Sequence, residues 1–230
     1  MLIGPQNLAV HVNHVRSRIR RAAQGAGRDP DSVVLIGVSK SKPAESVRQA
    51  ATAGVTDFGE NYLQEALLKL DELAGLPLNW HFIGGLQSNK TRAVAERFHW
   101  VHSIDRLSVA RRLSEQRPFH AAPLNLCIQV AVVPEPTKGG VDPGSLSELA
   151  AGIAELPRVT LRGLMCVPPP QPTAAAERAV FAQLRVLKER LNAEGHHLDT
   201  LSMGMSGDFE SAIAEGATHV RIGTALFGSR

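Results

Sequence analysis

Cysteine is scarce in this 230-residue chain: only Cys127 and Cys166 occur, each in its own apolar run. Two such thiols without metal-ligand spacing argue against a disulfide framework and fit buried residues in a reducing compartment. No metal site is expected. The formal net charge is +3, but no clustered run of Lys or Arg goes with it, so nothing recommends nucleic acid as a partner. The N-terminus lacks the basic-then-apolar pattern of a signal peptide, and no apolar run reaches membrane-spanning length. A soluble cytoplasmic protein that does not engage a membrane is expected. Also missing is a G-x-G-x-x-G after the first apolar run, which counts against a dinucleotide-binding open sheet.

What is present is ordinary in bulk and ordered in pattern. Hydrophobic residues make up 43% and charged residues 20% of the chain, as in soluble globular proteins. The length suits one large α/β domain over residues 1–230. Residues 5–24 place Leu8, Val12, Val15 and Ile19 at helical spacing, ended by Gly25 and Gly27, with His11 and His14 read as surface residues. Apolar, β-branched runs then alternate with helical stretches. Strands are expected at 33–38, 55–58, 80–83, 100–103, 124–132, 161–167, 198–202 and 218–222. Eight strands separated by helices predict a single (β/α)8 TIM barrel carrying an extra N-terminal helix.

The first strand, Val33 to Val38, runs into Ser39-Lys40-Ser41-Lys42-Pro43. Alternation puts Val34, Ile36, Val38 and Lys40 on one face. A lysine buried there loses hydration, which lowers its pKa and frees the amine to attack a carbonyl. Lys40 is therefore a candidate Schiff-base lysine; the bland alternative is a lysine that has left the strand for solvent. Barrels place working residues at the carboxyl ends of strands and often hold phosphate after strands seven and eight. There, Ser202-Met203-Gly204-Met205-Ser206-Gly207-Asp208 and Arg221-Ile222-Gly223-Thr224 resemble an anion cradle. Alternatively, Ser206 or Asp208 simply caps the next helix. Arg221 lies on the strand itself and needs either a carboxylate partner or a ligand acceptor. His81 reads first as a core histidine and second as a ligand contact, and His102, Cys127 and Cys166 read as core. A Schiff-base lysine, a phosphate cradle and a barrel together suggest pyridoxal 5′-phosphate.

At these residues the chain resembles the pyridoxal phosphate homeostasis proteins. The resemblance is carried by Gly37-Val38-Ser39-Lys40-Ser41-Lys42-Pro43, Phe58-Gly59-Glu60-Asn61-Tyr62-Leu63-Gln64-Glu65 and Trp80-His81-Phe82-Ile83-Gly84-Gly85-Leu86-Gln87-Ser88-Asn89-Lys90. It continues through Arg162-Gly163-Leu164-Met165, Leu201-Ser202-Met203-Gly204-Met205-Ser206 and Val220-Arg221-Ile222-Gly223-Thr224-Ala225-Leu226-Phe227-Gly228. The resemblance implies a barrel like the N-terminal domain of alanine racemase, with Lys40 bonded to the cofactor. It implies that Ser206, Gly223 and Thr224 hold the phosphate, beside Gly207 of the cradle, and that Arg221 approaches the pyridine nitrogen. Asn61, Met165, Ser202 and His81 would line the cofactor. The chain departs from the family pattern at Gly85, where that loop is expected to be looser, and around Lys138, whose role stays open.

Two functions follow from the resemblance: a carrier that holds and delivers pyridoxal phosphate without turnover, or an amino-acid racemase using it. A racemase needs acid–base groups on both faces of the substrate. In the resembled racemases a tyrosine of a second domain serves one face, whereas this sequence stops at Arg230 and its single tyrosine, Tyr62, reads as a helix-packing residue. The carrier is the favoured reading. Its expected partners are the cofactor itself and apo forms of pyridoxal-dependent enzymes, with the protein a monomer.

Overall fold

The computed structural model describes residues 5–133 and 139–228. Eight parallel strands follow one another around a closed barrel in sequence order. They are β1 (Val34–Val38), β2 (Asp57–Glu60), β3 (Asn79–Phe82), β4 (Trp100–Ile104), β5 (Leu124–Gln129), β6 (Val159–Met165), β7 (Thr200–Ser202) and β8 (His219–Ile222). Closure comes from β1 pairing with β8, with Val34 opposite His219 and Gly37 opposite Ile222. Outside the barrel run α2 (Ala44–Thr52), α3 (Leu63–Glu72), α4 (Thr91–Arg97), α5 (Leu107–Gln116), α6 (Leu146–Ala154), α7 (Ala174–Ala193) and α8 (Phe209–Ala214). A short α9 (Thr224–Phe227) after β8 was not anticipated from the sequence.

The extra N-terminal helix α1 (Pro5–Gly25) buries Leu8, Val12, Val15, Ile19 and Ala23, spaced three or four apart, against α2, α8 and α9. One ridge of side chains thus covers the seam where the two ends of the barrel meet. His14 is exposed as expected, but His11 is partly buried and its Nδ1–H donates to the Leu226 carbonyl at 3.0 Å. That bond satisfies a carbonyl near the end of α9 which the helix itself leaves without a partner.

Four strands differ from the periodic reading by two residues or more: the sixth lies at Val159–Met165 rather than 161–167, the seventh at Thr200–Ser202 rather than 198–202, and the second and fifth are displaced as well. The second strand lies at Asp57–Glu60 rather than 55–58. Its glycine, Gly59, faces inward so closely that an added Cβ would stand 3.0 Å from Ile36 Cγ2 and 3.1 Å from Ile83 Cδ1. Interior crowding selects glycine at a position that composition marks as a strand breaker. The fifth strand stops at Gln129, and the chain beyond it makes only an isolated bridge from Val130 to Val141. The segment around Lys138 lies outside the described residues.

The tightest backbone approach joins β6 to β7. A Cβ on Gly163 would meet the Thr200 carbonyl oxygen at 1.9 Å. Gly163→Ala is therefore expected to destabilise the barrel by about 1–3 kcal/mol, since the strands must move apart. Gly25→Ala, in open space at the end of α1, is expected to stay within about 0.5 kcal/mol of wild type. Urea unfolding of the two variants measures the contrast.

Candidate functional site

A cavity of ≈ 330 Å³ opens at the carboxyl ends of the strands. One side is formed by Val38 and Lys40 at the end of β1, Asn61 after β2 and Ile83 after β3. The other is formed by Val167, by Met205, Ser206 and Gly207 after β7, and by Arg221, Gly223 and Thr224 on and after β8. Seven of the ten residues singled out in the sequence thus share one cavity. The other three do not line it: His81, Met165 and Ser202 are fully buried in the barrel interior. Their strands lead to the mouth, but their side chains stop short of it.

Lys40 also differs from its sequence-based expectation. It is half-buried on the cavity wall rather than enclosed in the barrel interior. Among the described residues the buried lysine is Lys69 on α3, at 4% exposure. Its Nζ donates to the Ser39 carbonyl at 2.6 Å, to Glu60 Oε1 at 2.7 Å and to Glu65 Oε1 at 2.6 Å. Ser39 Oγ donates to the same Glu60 oxygen at 2.7 Å, and the Ser41 amide donates to Glu65 at 2.6 Å. Ser41 sits in the left-handed region at φ 61, an uncommon conformation for a serine. Ion pairs behind the backbone thus pin the residues on both sides of Lys40 and fix where its side chain leaves the chain. Burial pushes the Glu60 carboxyl above its usual pKa, against the lowering pull of Lys69. Sequence reading placed Glu60 at the end of a strand but missed Lys69, whose burial depends on the packing of α3.

The loops after β7 and β8 sort their residues by task. Gly204 has φ +92, and a Cβ there would stand 2.7 Å from that of Ala212. Glycine at 204 is needed for the turn into α8 rather than for ligand approach. Gly207, in contrast, has open space around it on the cavity wall. Ser206 does not cap the helix that follows it. Its Oγ accepts from the Ala225 amide at 3.3 Å and so ties the two loops together. Asp208 instead binds its own turn through the Met205 amide at 2.6 Å.

Arg221 is 4% exposed and is held from two sides. Nη1 donates to Ser202 Oγ and Nη2 to the Cys166 carbonyl, both at 2.8 Å. Among the described residues no carboxylate meets it directly, contrary to the bland sequence expectation. Burial lowers its pKa from the ordinary value, yet a guanidinium remains charged. Asn61 Oδ1 is buried without a hydrogen-bond partner. Such an acceptor is costly unless something supplies a donor. After β3, a Cβ on Gly84 would stand 2.2 Å from the Asn61 carbonyl oxygen, so this glycine seats Asn61, while Gly85 has free space on every side.

The cavity therefore offers a primary amine on a pinned backbone, a fixed cationic donor, an orphaned acceptor and a hydroxyl-rich loop pair with close backbone access. Its size lies within the ≈ 300–1,000 Å³ of small-molecule sites. A compact anion bearing a carbonyl, a hydroxyl and a ring acceptor would satisfy all four features, and pyridoxal 5′-phosphate has that set.

Residues 10–230 match the family model described as alanine racemase, N-terminal domain. The pyridoxal phosphate homeostasis protein of Pseudomonas aeruginosa is 60% identical over 223 residues, covering 97% of this chain and 96% of that protein. Its counterpart in Escherichia coli is 48% identical over 227 residues, covering 97% of each. The structure of PipY from Synechococcus elongatus with PLP bound superposes with a TM-score of 0.81 at 43% identity, over 92% of this chain and all of that one. An alanine racemase from Clostridium difficile is alike in fold alone, with a TM-score of 0.77 at 14% identity. There the match spans 98% of this chain and 57% of the racemase.

The clamp behind Lys40 can be tested without any ligand. Lys69→Met leaves Glu60 buried without its cation and is expected to cost about 3–5 kcal/mol near neutral pH. Glu60 is already raised above 4.5 in the folded protein, and losing Lys69 raises it further. The folded state then binds more protons than the unfolded chain, so the deficit should grow as pH climbs above 4.5 and shrink below it. Denaturant midpoints from pH 4 to 8 measure this.

Proposed function

The chain belongs to the pyridoxal phosphate homeostasis proteins, and we propose that it holds pyridoxal 5′-phosphate in the cavity beside Lys40 and serves cofactor supply without catalytic turnover. The supporting observation is the convergence of Lys40, Arg221 and the loops at Ser206–Gly207 and Gly223–Thr224 on one cavity of suitable size. When bound, the cofactor supplies an aldehyde that condenses with an amine. Lys40 provides that amine from a clamped backbone. Ser206, Gly207, Gly223 and Thr224 surround the position for a phosphate, Arg221 donates toward a ring acceptor, and Asn61 Oδ1 accepts from a hydroxyl.

The lining explains why holding is favoured over racemisation. Two-base chemistry needs a proton-transfer group on each face of the substrate. Among the described residues, the titratable groups lining the cavity are Lys40 and Arg221, and a guanidinium does not give up its proton at neutral pH. Tyr62 is 54% exposed, away from the cavity lining; it is not the helix-packing residue that the sequence suggested.

An open mouth suits hand-over of the cofactor to apo-enzymes in the cytoplasm, with the protein acting as a monomer whose mouth no second subunit covers. Among the described residues no helix is long and apolar enough to cross a membrane.

The purified protein, mixed with pyridoxal phosphate, should develop a visible absorption band that borohydride removes and that Lys40→Ala fails to form. Absence of the band in reconstituted wild type would sink the assignment. Loaded protein incubated with single enantiomers of amino acids should leave them unchanged on chiral chromatography. Appearance of the opposite enantiomer at catalytic rates would favour the racemase instead.

A further inference from the structure

The barrel interior contains a polar chain that the functional reading does not use. From Arg221 it passes to Ser202, then from Ser202 Oγ to His102 Nδ1 at 2.8 Å. His102 Nε2 meets His81 Nδ1 at 2.9 Å, and His81 Nε2 meets Asp57 Oδ1 at 2.9 Å. Both imidazoles and the serine are fully buried. The two ends reach different openings. Arg221 lines the cavity with Lys40, whereas Asp57 lines a second cavity of ≈ 380 Å³ at the amino-terminal ends of the strands, with Val34 and Thr56.

The chemistry of the ends sets the direction of every bond between them. A guanidinium only donates, so Ser202 Oγ accepts from Arg221. The one hydroxyl proton of Ser202 is then available for His102 Nδ1, which must be bare. A neutral His102 carries its proton on Nε2 and donates it to His81 Nδ1. His81 in turn carries its proton on Nε2 and donates to Asp57, which as a carboxylate only accepts. No proton is shared and none is missing. Burial holds both imidazoles below their usual pKa, consistent with two neutral rings. Burial also tends to raise Asp57, but hydrogen bonds from His81 and Thr56 outweigh it and keep the carboxyl below its usual range. Aligned donors therefore run from a buried cation to a carboxylate, and each bond polarises the next.

We propose that Asp57, His81, His102 and Ser202 are positioning residues for Arg221, and that the Asp57 charge is coupled through them to cofactor binding at the opposite end of the barrel. The proposal rests on Arg221 facing the cofactor, as argued above. The chain holds the guanidinium plane and balances its charge without placing a carboxylate in the cavity, where it would repel a phosphorylated ligand.

Two measurements test it. Nitrogen NMR of the histidine rings in the cofactor-free protein should show His81 and His102 neutral, with protons on Nε2 and bare Nδ1 atoms. Protons on Nδ1, or a doubly protonated His81, would reverse the chain and overturn the proposal, whatever the protein binds. Cofactor affinity is then measured by titration with pyridoxal phosphate in a double-mutant cycle, each variant checked for an intact melting transition. Asp57→Asn should weaken binding about three- to tenfold in the wild-type background and have no further effect in Ser202→Ala, where the link is already cut. Equal losses in both backgrounds, or no loss in either, would refute the coupling. Failure of wild type itself to bind would instead refute the cofactor assignment and leave the NMR result to decide the chain.

Discussion

The ladder between β1 and β8 is the constraint on which the site depends. Its pairs, from Val34 with His219 to Gly37 with Ile222, join the first strand to the last. Without them Lys40 and Thr224 would sit at opposite edges of an open sheet. With them the amine and the phosphate-sized loops become neighbours on one wall. Closure also removes both exposed sheet edges, so the ladder contributes to stability and to site assembly through the same hydrogen bonds. The helix α1 covers this seam, and Leu8 to Ala23 bury their apolar stripe against α2, α8 and α9. The extra helix reads as reinforcement of the junction that creates the site.

Closing a small barrel commits its interior to whatever side chains point inward. Barrels usually fill that space with branched aliphatics. Here Ile36, Met165 and Cys127 share it with two histidines, a serine and an arginine. A buried guanidinium costs several kcal/mol unless it is compensated. The interior meets that cost with a run of satisfied hydrogen bonds rather than with one adjacent carboxylate. His219 borders the same region, its ring 5.1 Å from Trp100 and 6.2 Å from His102, with its pKa pushed down to about 3 by burial. The thiol of Cys166 is pushed up to about 12 by burial, so it stays protonated beside Arg221. The polar interior is thus largely neutral apart from the two ends of its chain.

Around Lys40 the same logic is applied at the backbone. Glu60, Glu65 and Lys69 form a charged group behind the strand end, and it holds main-chain atoms of Ser39 and Ser41 rather than the Lys40 side chain. The amine keeps its freedom while its point of departure is fixed. Both properties suit the proposed holding and release of a ligand. Among the described residues, the titratable groups on the cavity wall are Lys40 and Arg221.

The alternation of apolar runs and helical stretches was enough, read alone, to determine eight strands in a barrel. The spacing of Lys40, Ser206, Gly207, Arg221, Gly223 and Thr224 relative to strand ends placed them at one mouth. Such features are local, because periodicity and glycine position report on a few residues at a time. What only the tertiary structure decided is non-local. Residue type cannot tell which lysine is buried, and the packing of α3 gave that place to Lys69 instead of Lys40. His81, Met165 and Ser202 lie on the right strands but below the cavity, because depth along a strand depends on how each strand is staggered against its neighbours. His102 was legible as a buried residue but not as a link between Ser202 and His81. Asp57 carried no signal at all until the register of β2 placed it beneath His81. Hydrogen-bond partners drawn from five different strands are set by closure of the barrel, and no window of sequence contains them.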